Sequence, residues 1–128
     1  MKKASGGRRG GSKPLYVLHG AIKTPPMSGQ ARVDVGFHLR LVQQGEMLAM
    51  PISRPMPEIT ANCHDCHELR IGDIEHGVEW RVIYYIDDLA ILVLEVFKKS
   101  SRETPERVKR ACRERLRRYL EAKKETKL

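Results

Sequence analysis

With 128 residues, 41% of them apolar, the chain has material for one domain with a modest core and no second one. No apolar run approaches the roughly 20 residues that span a bilayer, and the N-terminus lacks the apolar stretch of a signal peptide, so no membrane association is expected and the cytoplasm is the expected compartment. Three cysteines, an odd number, point to reduced thiols rather than a disulfide framework, while a formal net charge of +8 points to a polyanionic or acidic partner without naming a reaction.

Met1 to Lys13 is Gly, Ser, Lys and Arg with no apolar periodicity, which predicts a flexible basic tail and leaves residues 14–128 as the single domain. Pro14-Leu15-Tyr16-Val17-Leu18 reads as an edge strand with its proline first. Lys23-Thr24-Pro25-Pro26 is a stiff connector, and Ser28 is a plausible helix N-cap. The segment after Ser28 carries two patterns: Val33, Val35, Phe37, Leu39 and Leu41 alternate as in a strand, whereas Ala31, Val35, Leu39 and Val42 fit a helical stripe. Periodicity alone leans to strand. Pro51 to Pro57 holds three prolines and reads as a surface loop.

Cys63-His64-Asp65-Cys66-His67 has thiolates and imidazoles at metal-ligand spacing, but no second pair accompanies it, since Cys112 sits on an apolar helical stripe. A polar loop is the expectation there, with no metal. His67 to Ile71 alternates polar and apolar residues, Trp80 to Ile86 is β-branched and aromatic, and Ala90 to Phe97 is an apolar run with one charge, Glu95. With turns at Gly72–Gly77 and Asp87-Asp88, these form an antiparallel meander whose third strand is expected mid-sheet. Thr104-Pro105 then opens a helix with an N-capping hydroxyl and a first-turn proline. Its stripe is Val108, Ala111, Cys112, Leu116, Tyr119 and Leu120, and Lys109, Arg110, Arg113 and Arg117 lie on an adjoining face, either solvated or gripping a ribose-phosphate backbone.

Period two puts Glu68 and Arg70 on one face of the first strand, and Arg81, Ile83 and Tyr85 on one face of the second. If the faces coincide, Arg70 and Arg81 lie side by side with Lys98 and Lys99 at the exit of the third strand, a cationic site fit for a phosphate. The alternative is an arginine and a glutamate paired across strands on a solvated face. Tyr84 falls on the opposite face and reads as core.

Several fragments, in this order and spacing, resemble the RelE/HigB toxins of bacterial type II toxin-antitoxin systems, in particular the phage-related branch. They are Leu18-His19-Gly20, Lys23 to Pro26, Gly36-Phe37 with Leu39-Arg40, Met50-Pro51, Ser53 to Pro57, His67 to Ile71, Trp80 to Tyr84, Glu95-Val96-Phe97 with Lys99, Thr104-Pro105, and Arg115-Leu116 with Tyr119. The resemblance implies a small RelE-like α+β fold, an antiparallel-dominated sheet packed by an N-terminal helix region and a C-terminal helix. It makes Gln30 to Gly45 helical, against the periodicity, and Gln44-Gly45 suits a helix end. It further implies cleavage of mRNA on the ribosome without metal or cofactor, and neutralisation by a cognate antitoxin of helix-turn-helix type. Matched residue by residue, Arg81 clamps the phosphate, Arg70 and Lys99 add charge or donate to the leaving oxygen, and Glu68 or His67 orients or deprotonates. Lys98, Tyr85, Arg110, Arg113 and Arg117 are the expected RNA contacts, the helix arginines on the strength of their shared face. Tyr85 stands where the family commonly has a cation, and Lys98-Lys99-Ser100-Ser101 carries fewer cations than the family's basic run. A rival from another class is a non-catalytic basic module that binds RNA or antitoxin.

Overall fold

A computed structural model describes residues 12–18, 26–59 and 65–126. Its elements run β1 (Leu15–Val17), α1 (Gly29–Gln43), β2 (Ser53–Pro55), β3 (Cys66–Asp73), β4 (Val78–Ile86), β5 (Ile91–Lys98) and α2 (Glu106–Thr126). The five strands make one sheet in the order β1-β5-β4-β3-β2, with β1 parallel to β5 and every other pair antiparallel. The expected α+β class and the three-strand meander are present. The aromatic and β-branched β4 takes the centre, and the apolar β5 lies one place off it, enclosed by β4 and β1.

Alternation sends the two sets of strand side chains into separate cores. Leu69, Ile71, Trp80, Val82, Tyr84 and Val93 pack against Ala31, Leu39 and Val42 of α1, while Ile83, Leu92 and Leu94 pack against Val108, Cys112 and Leu116 of α2. A sheet covered on both faces explains why β5 reads as a nearly unbroken apolar run. Burial between α2 and the sheet, with the nearby Glu95 carboxylate, pushes the Cys112 thiol up to about 12.

The segment with two patterns is helix. Ser28 Oγ accepts from the Ala31 N–H at 3.1 Å, and Gly45, at φ 98°, closes the other end in the left-handed conformation that glycine adopts without strain. The helical stripe is the buried one, whereas Val33 and Phe37 of the alternating set are 63% and 58% exposed. Ser28 is itself held by Asp73. Burial would raise the pKa of this carboxylate, but bonds from the Ser28 N–H at 2.9 Å, the Trp80 indole at 3.1 Å and the His76 N–H at 3.2 Å win and hold it well below the usual range.

Three expectations are corrected. Ser53–Pro55 is not loop but a short edge strand on β3, a place where a proline costs no ladder bond. Thr104 does not cap α2: the carbonyl of Pro105 accepts from Val108 and Lys109, and the Thr104 hydroxyl turns to Glu68 instead. The tail does not reach Lys13, whose N–H donates to Gln43 O at 2.9 Å and whose ammonium donates to Asp87 O at 2.7 Å. Residues 1–11 lie outside the described residues, as do 19–25 and the Cys63-His64 half of the cysteine-histidine cluster.

Polar pins hold α2 along β5. The register slips between Ile83 and Tyr84, leaving Leu94 as the extra residue, and Arg115 Nη1 donates to the Leu94 carbonyl at 2.6 Å while lying 3.3 Å from Glu95 Oε2. At the far end Tyr119 Oη donates to Asp87 Oδ2 at 3.0 Å, and Lys123 pairs with Asp87 at 3.0 Å and with Asp88.

Candidate functional site

Two cross-strand rows on the α2 side of the sheet build the site. Arg54, Glu68 and Ile83 stand opposite one another in the first, and Arg70, Arg81 and Phe97 in the next. The faces inferred from period two therefore coincide, and Arg70 and Arg81 are direct neighbours. The solvated-face alternative holds in part as well, since an arginine and a glutamate do pair across strands, but the arginine is Arg54 and the pair is half sunk.

Beyond the end of β5 the chain turns over this face towards α2, so that Lys99, Arg102, Glu103 and Thr104 close a pocket of about 80 Å³ with Arg54, Glu68, Arg70 and Arg81. Five cations face two carboxylates in it. Glu68, 4% exposed, is the hub: its Oε1 lies 3.2 Å from Arg54 Nε, 3.5 Å from Arg70 Nε and 3.9 Å from Arg81 Nε, and its Oε2 accepts from Thr104 Oγ1 at 3.4 Å. Burial would lower the Arg54 pKa, yet its bonds to Glu58 and Glu68 leave it raised, so the guanidinium is a fixed charge. Arg81 is 6% exposed, and it donates to Trp80 O at 3.1 Å and to Glu79 Oε1 at 3.2 Å. Such an excess of positive charge over carboxylate suits an anion that brings its own oxygens.

Lys99 reaches the pocket because its N–H continues the β4 ladder to Glu79 O at 2.8 Å, whereas Lys98 stands opposite Trp80 on the other face. The structure does not bring His67 into the pocket. One residue before Glu68, it points through the sheet and stacks on Tyr84 with centroids 5.4 Å apart and planes at 18°. Tyr84 is core, 1% exposed, with its hydroxyl 2.8 Å from Ser53 Oγ. Tyr85 shares the face of Arg81 but packs against the α2-side core, opposite Cys66 and Leu92.

The cation face of α2 is corrected as well. Arg113 donates to Ile59 O at 2.9 Å and Glu58 O at 2.6 Å, and Arg117 is bracketed by Glu114 at 2.5 Å and Glu121 at 2.8 Å, bonds that raise its pKa and lower that of Glu114. Neither is unpaired charge. Arg110, by contrast, is exposed, and among the described residues none accepts from it. The members missed in the sequence are Arg54 and Arg102. Arg54 was masked by its prolines, and its only signal was its place in the Ser53–Pro57 fragment; Arg102 gives none beyond its charge.

Among the described residues, no group of three or more His, Cys, Asp or Glu side chains is placed to hold a metal, and no helix is long and apolar enough to cross a membrane. The family model described as "Phage derived protein Gp49-like" matches residues 26–117, a span that contains every residue lining the pocket. No curated protein and no solved structure matches the chain.

Proposed function

The chain belongs to the Gp49-like family of phage-derived proteins, a toxin-like family, and on that premise we propose that it is the toxin of a type II toxin-antitoxin system, an RelE/HigB-type endoribonuclease that cleaves mRNA on the ribosome in the cytoplasm. The observation that carries the reading is the small pocket in which Arg70, Arg81, Lys99 and Arg102 surround one buried carboxylate. In the reaction a ribose 2′-oxygen bonds to the adjacent phosphorus and the bond from phosphorus to the 5′-oxygen breaks. The 2′ proton passes to a base and the 5′-oxygen gains one. A 2′,3′-cyclic phosphate and a 5′-hydroxyl result. Negative charge builds on the phosphoryl oxygens on the way, and prepositioned guanidinium and ammonium groups stabilise it without reorganising. Glu68 is already committed to guanidiniums, which suits it to orienting them rather than to taking the proton.

The cognate antitoxin, read as a helix-turn-helix protein with an acidic segment, competes with RNA for this positive face. Purified protein incubated with ribosomes and mRNA is expected to yield 5′-hydroxyl and 2′,3′-cyclic phosphate ends in the presence of chelator, and its induction to halt growth unless the neighbouring gene is co-expressed. Intact mRNA under growth arrest would instead favour the non-catalytic binding module.

A further inference from the structure

The three pocket arginines gathered on Glu68 are not equivalent, and their difference assigns roles within the nuclease reading, on which this inference rests. Each turns its Nε towards the same oxygen, Glu68 Oε1. Their outer edges diverge. Arg54 donates Nη1 to Pro55 O at 3.2 Å and Nη2 to Glu58 Oε2 at 2.9 Å. Arg81 donates Nη1 to Trp80 O and Nη2 to Glu79 Oε1. Arg70 has neither: no described residue accepts from its Nη atoms, its buried Nε lies by Glu68 without a hydrogen bond, and its side chain is 33% exposed.

We infer that Glu68 is a positioning residue that holds three guanidiniums by their Nε edges, and that Arg70 is the one whose fork stays open to take the phosphate. Arg54 and Arg81 then act as fixed charges behind it. The Nη fork of an arginine matches two phosphate oxygens, and a phosphate in the pocket supplies the acceptors Arg70 lacks. To reach Arg81 it must first displace Glu79 and a backbone carbonyl. The Thr104 hydroxyl on Oε2 steadies the Glu68 carboxylate, so the segment leading into α2 takes part in aiming the arginines.

The test titrates inorganic phosphate into the full chain at low salt and follows the arginine Nε–H resonances. The Arg70 signal is expected to move most. Arg70→Gln should weaken phosphate binding about tenfold, the loss of one charge-assisted contact, and Arg81→Gln by less than half that factor. Glu68→Gln should shift all three arginine signals without phosphate, leave phosphate binding no weaker, and cut kcat for RNA tenfold or more without raising KM. Its pH–rate profile should keep its shape, which loss of a general base would not allow. If Glu68→Gln does not fold, Thr104→Val, which keeps the charge, is expected to show the same split of kcat from KM. Equal weakening by Arg70→Gln and Arg81→Gln, or a flattened acid limb in Glu68→Gln, overturns the assignment. Absence of cleavage by the wild type with Arg70 still the phosphate ligand overturns the nuclease reading alone.

Discussion

Lys98 and Lys99 are adjacent in sequence, equal in charge and both exposed, yet the sheet separates them, and this makes the pair a sharp test of the site. Lys99 lines the pocket and Lys98 leaves on the opposite face, beside Trp80. A unit charge about 4 Å from a phosphoryl oxygen is worth roughly 4 kcal/mol at an effective dielectric of about 20. Solvent around an exposed ammonium roughly halves that, leaving about thirtyfold in rate once converted at ~1.4 kcal/mol per decade. Across the sheet, at ~10 Å and through water, the same charge contributes ~0.4 kcal/mol before screening, and less than half of that over a Debye length of about 8 Å. Lys99→Ala is therefore expected to lower kcat/KM for ribosome-bound mRNA about thirtyfold, and Lys98→Ala less than twofold. The assay is quantitation of cleaved ends at subsaturating ribosomes, with circular dichroism as a check on the fold. Equal losses from the two variants would refute the reasoning, because they would show diffuse basicity rather than a directed site.

Arg81→Ala is expected to abolish growth arrest and cost about 10²–10³ in kcat, the size of loss that follows removal of a preorganised charge from behind the phosphate, and undiminished arrest by a folded variant would take Arg81 out of the mechanism. RNA affinity should fall with salt at a log-log slope near −0.7 per neutralised phosphate; Arg102→Ala with Arg110→Ala should flatten it by roughly 1.4, while Arg113→Ala with Arg117→Ala leaves it nearly unchanged because Arg113 lies 3.5 Å from Glu106 and Arg117 is bracketed by Glu114 and Glu121. Leu116→Ala, at a site 2% exposed, should destabilise the fold by about 2–5 kcal/mol in urea unfolding. The Asp73 carboxylate, depressed in the folded state, binds fewer protons there than in the unfolded chain, so its contribution is complete above pH ~4 and is lost as pH falls below that value; Asp73→Asn should flatten the acid arm of a stability-versus-pH curve.

The meander was readable because its strands obey period two and their apolar halves meet, which fixes the register and with it the Arg70–Arg81 neighbourhood. α1 was ambiguous for a physical reason: Val33 and Phe37 expose apolar side chains on its outer face, which completes a false alternation. β2 was hidden because a strand of three residues among prolines carries no periodicity and exists only through pairing with a partner a dozen residues away. The contacts that make Glu68 a hub were equally out of reach, although the resemblance named it as an orienting residue or base, since they come from Arg54 of that strand and Thr104 on the approach to α2. The pairing of Arg117 was in plain view by contrast, with Glu114 and Glu121 at three and four residues' distance on the same helix face.

Among the described residues, both margins of the sheet are strands of only three residues, and each keeps company with a proline: Pro14 just ahead of Leu15, and Pro55 ending β2. A basic protein with a strongly apolar β5 would otherwise offer incoming chains a long template of unsatisfied amides. Here the template is too short, and at Pro55 it lacks a donor, so the β4–β5 hairpin is shielded from intermolecular strand addition by the margins' own brevity. Lengthening β2 by replacing Pro55 and Pro57 with threonine is thus a route to fibrillar self-association that leaves the interior untouched.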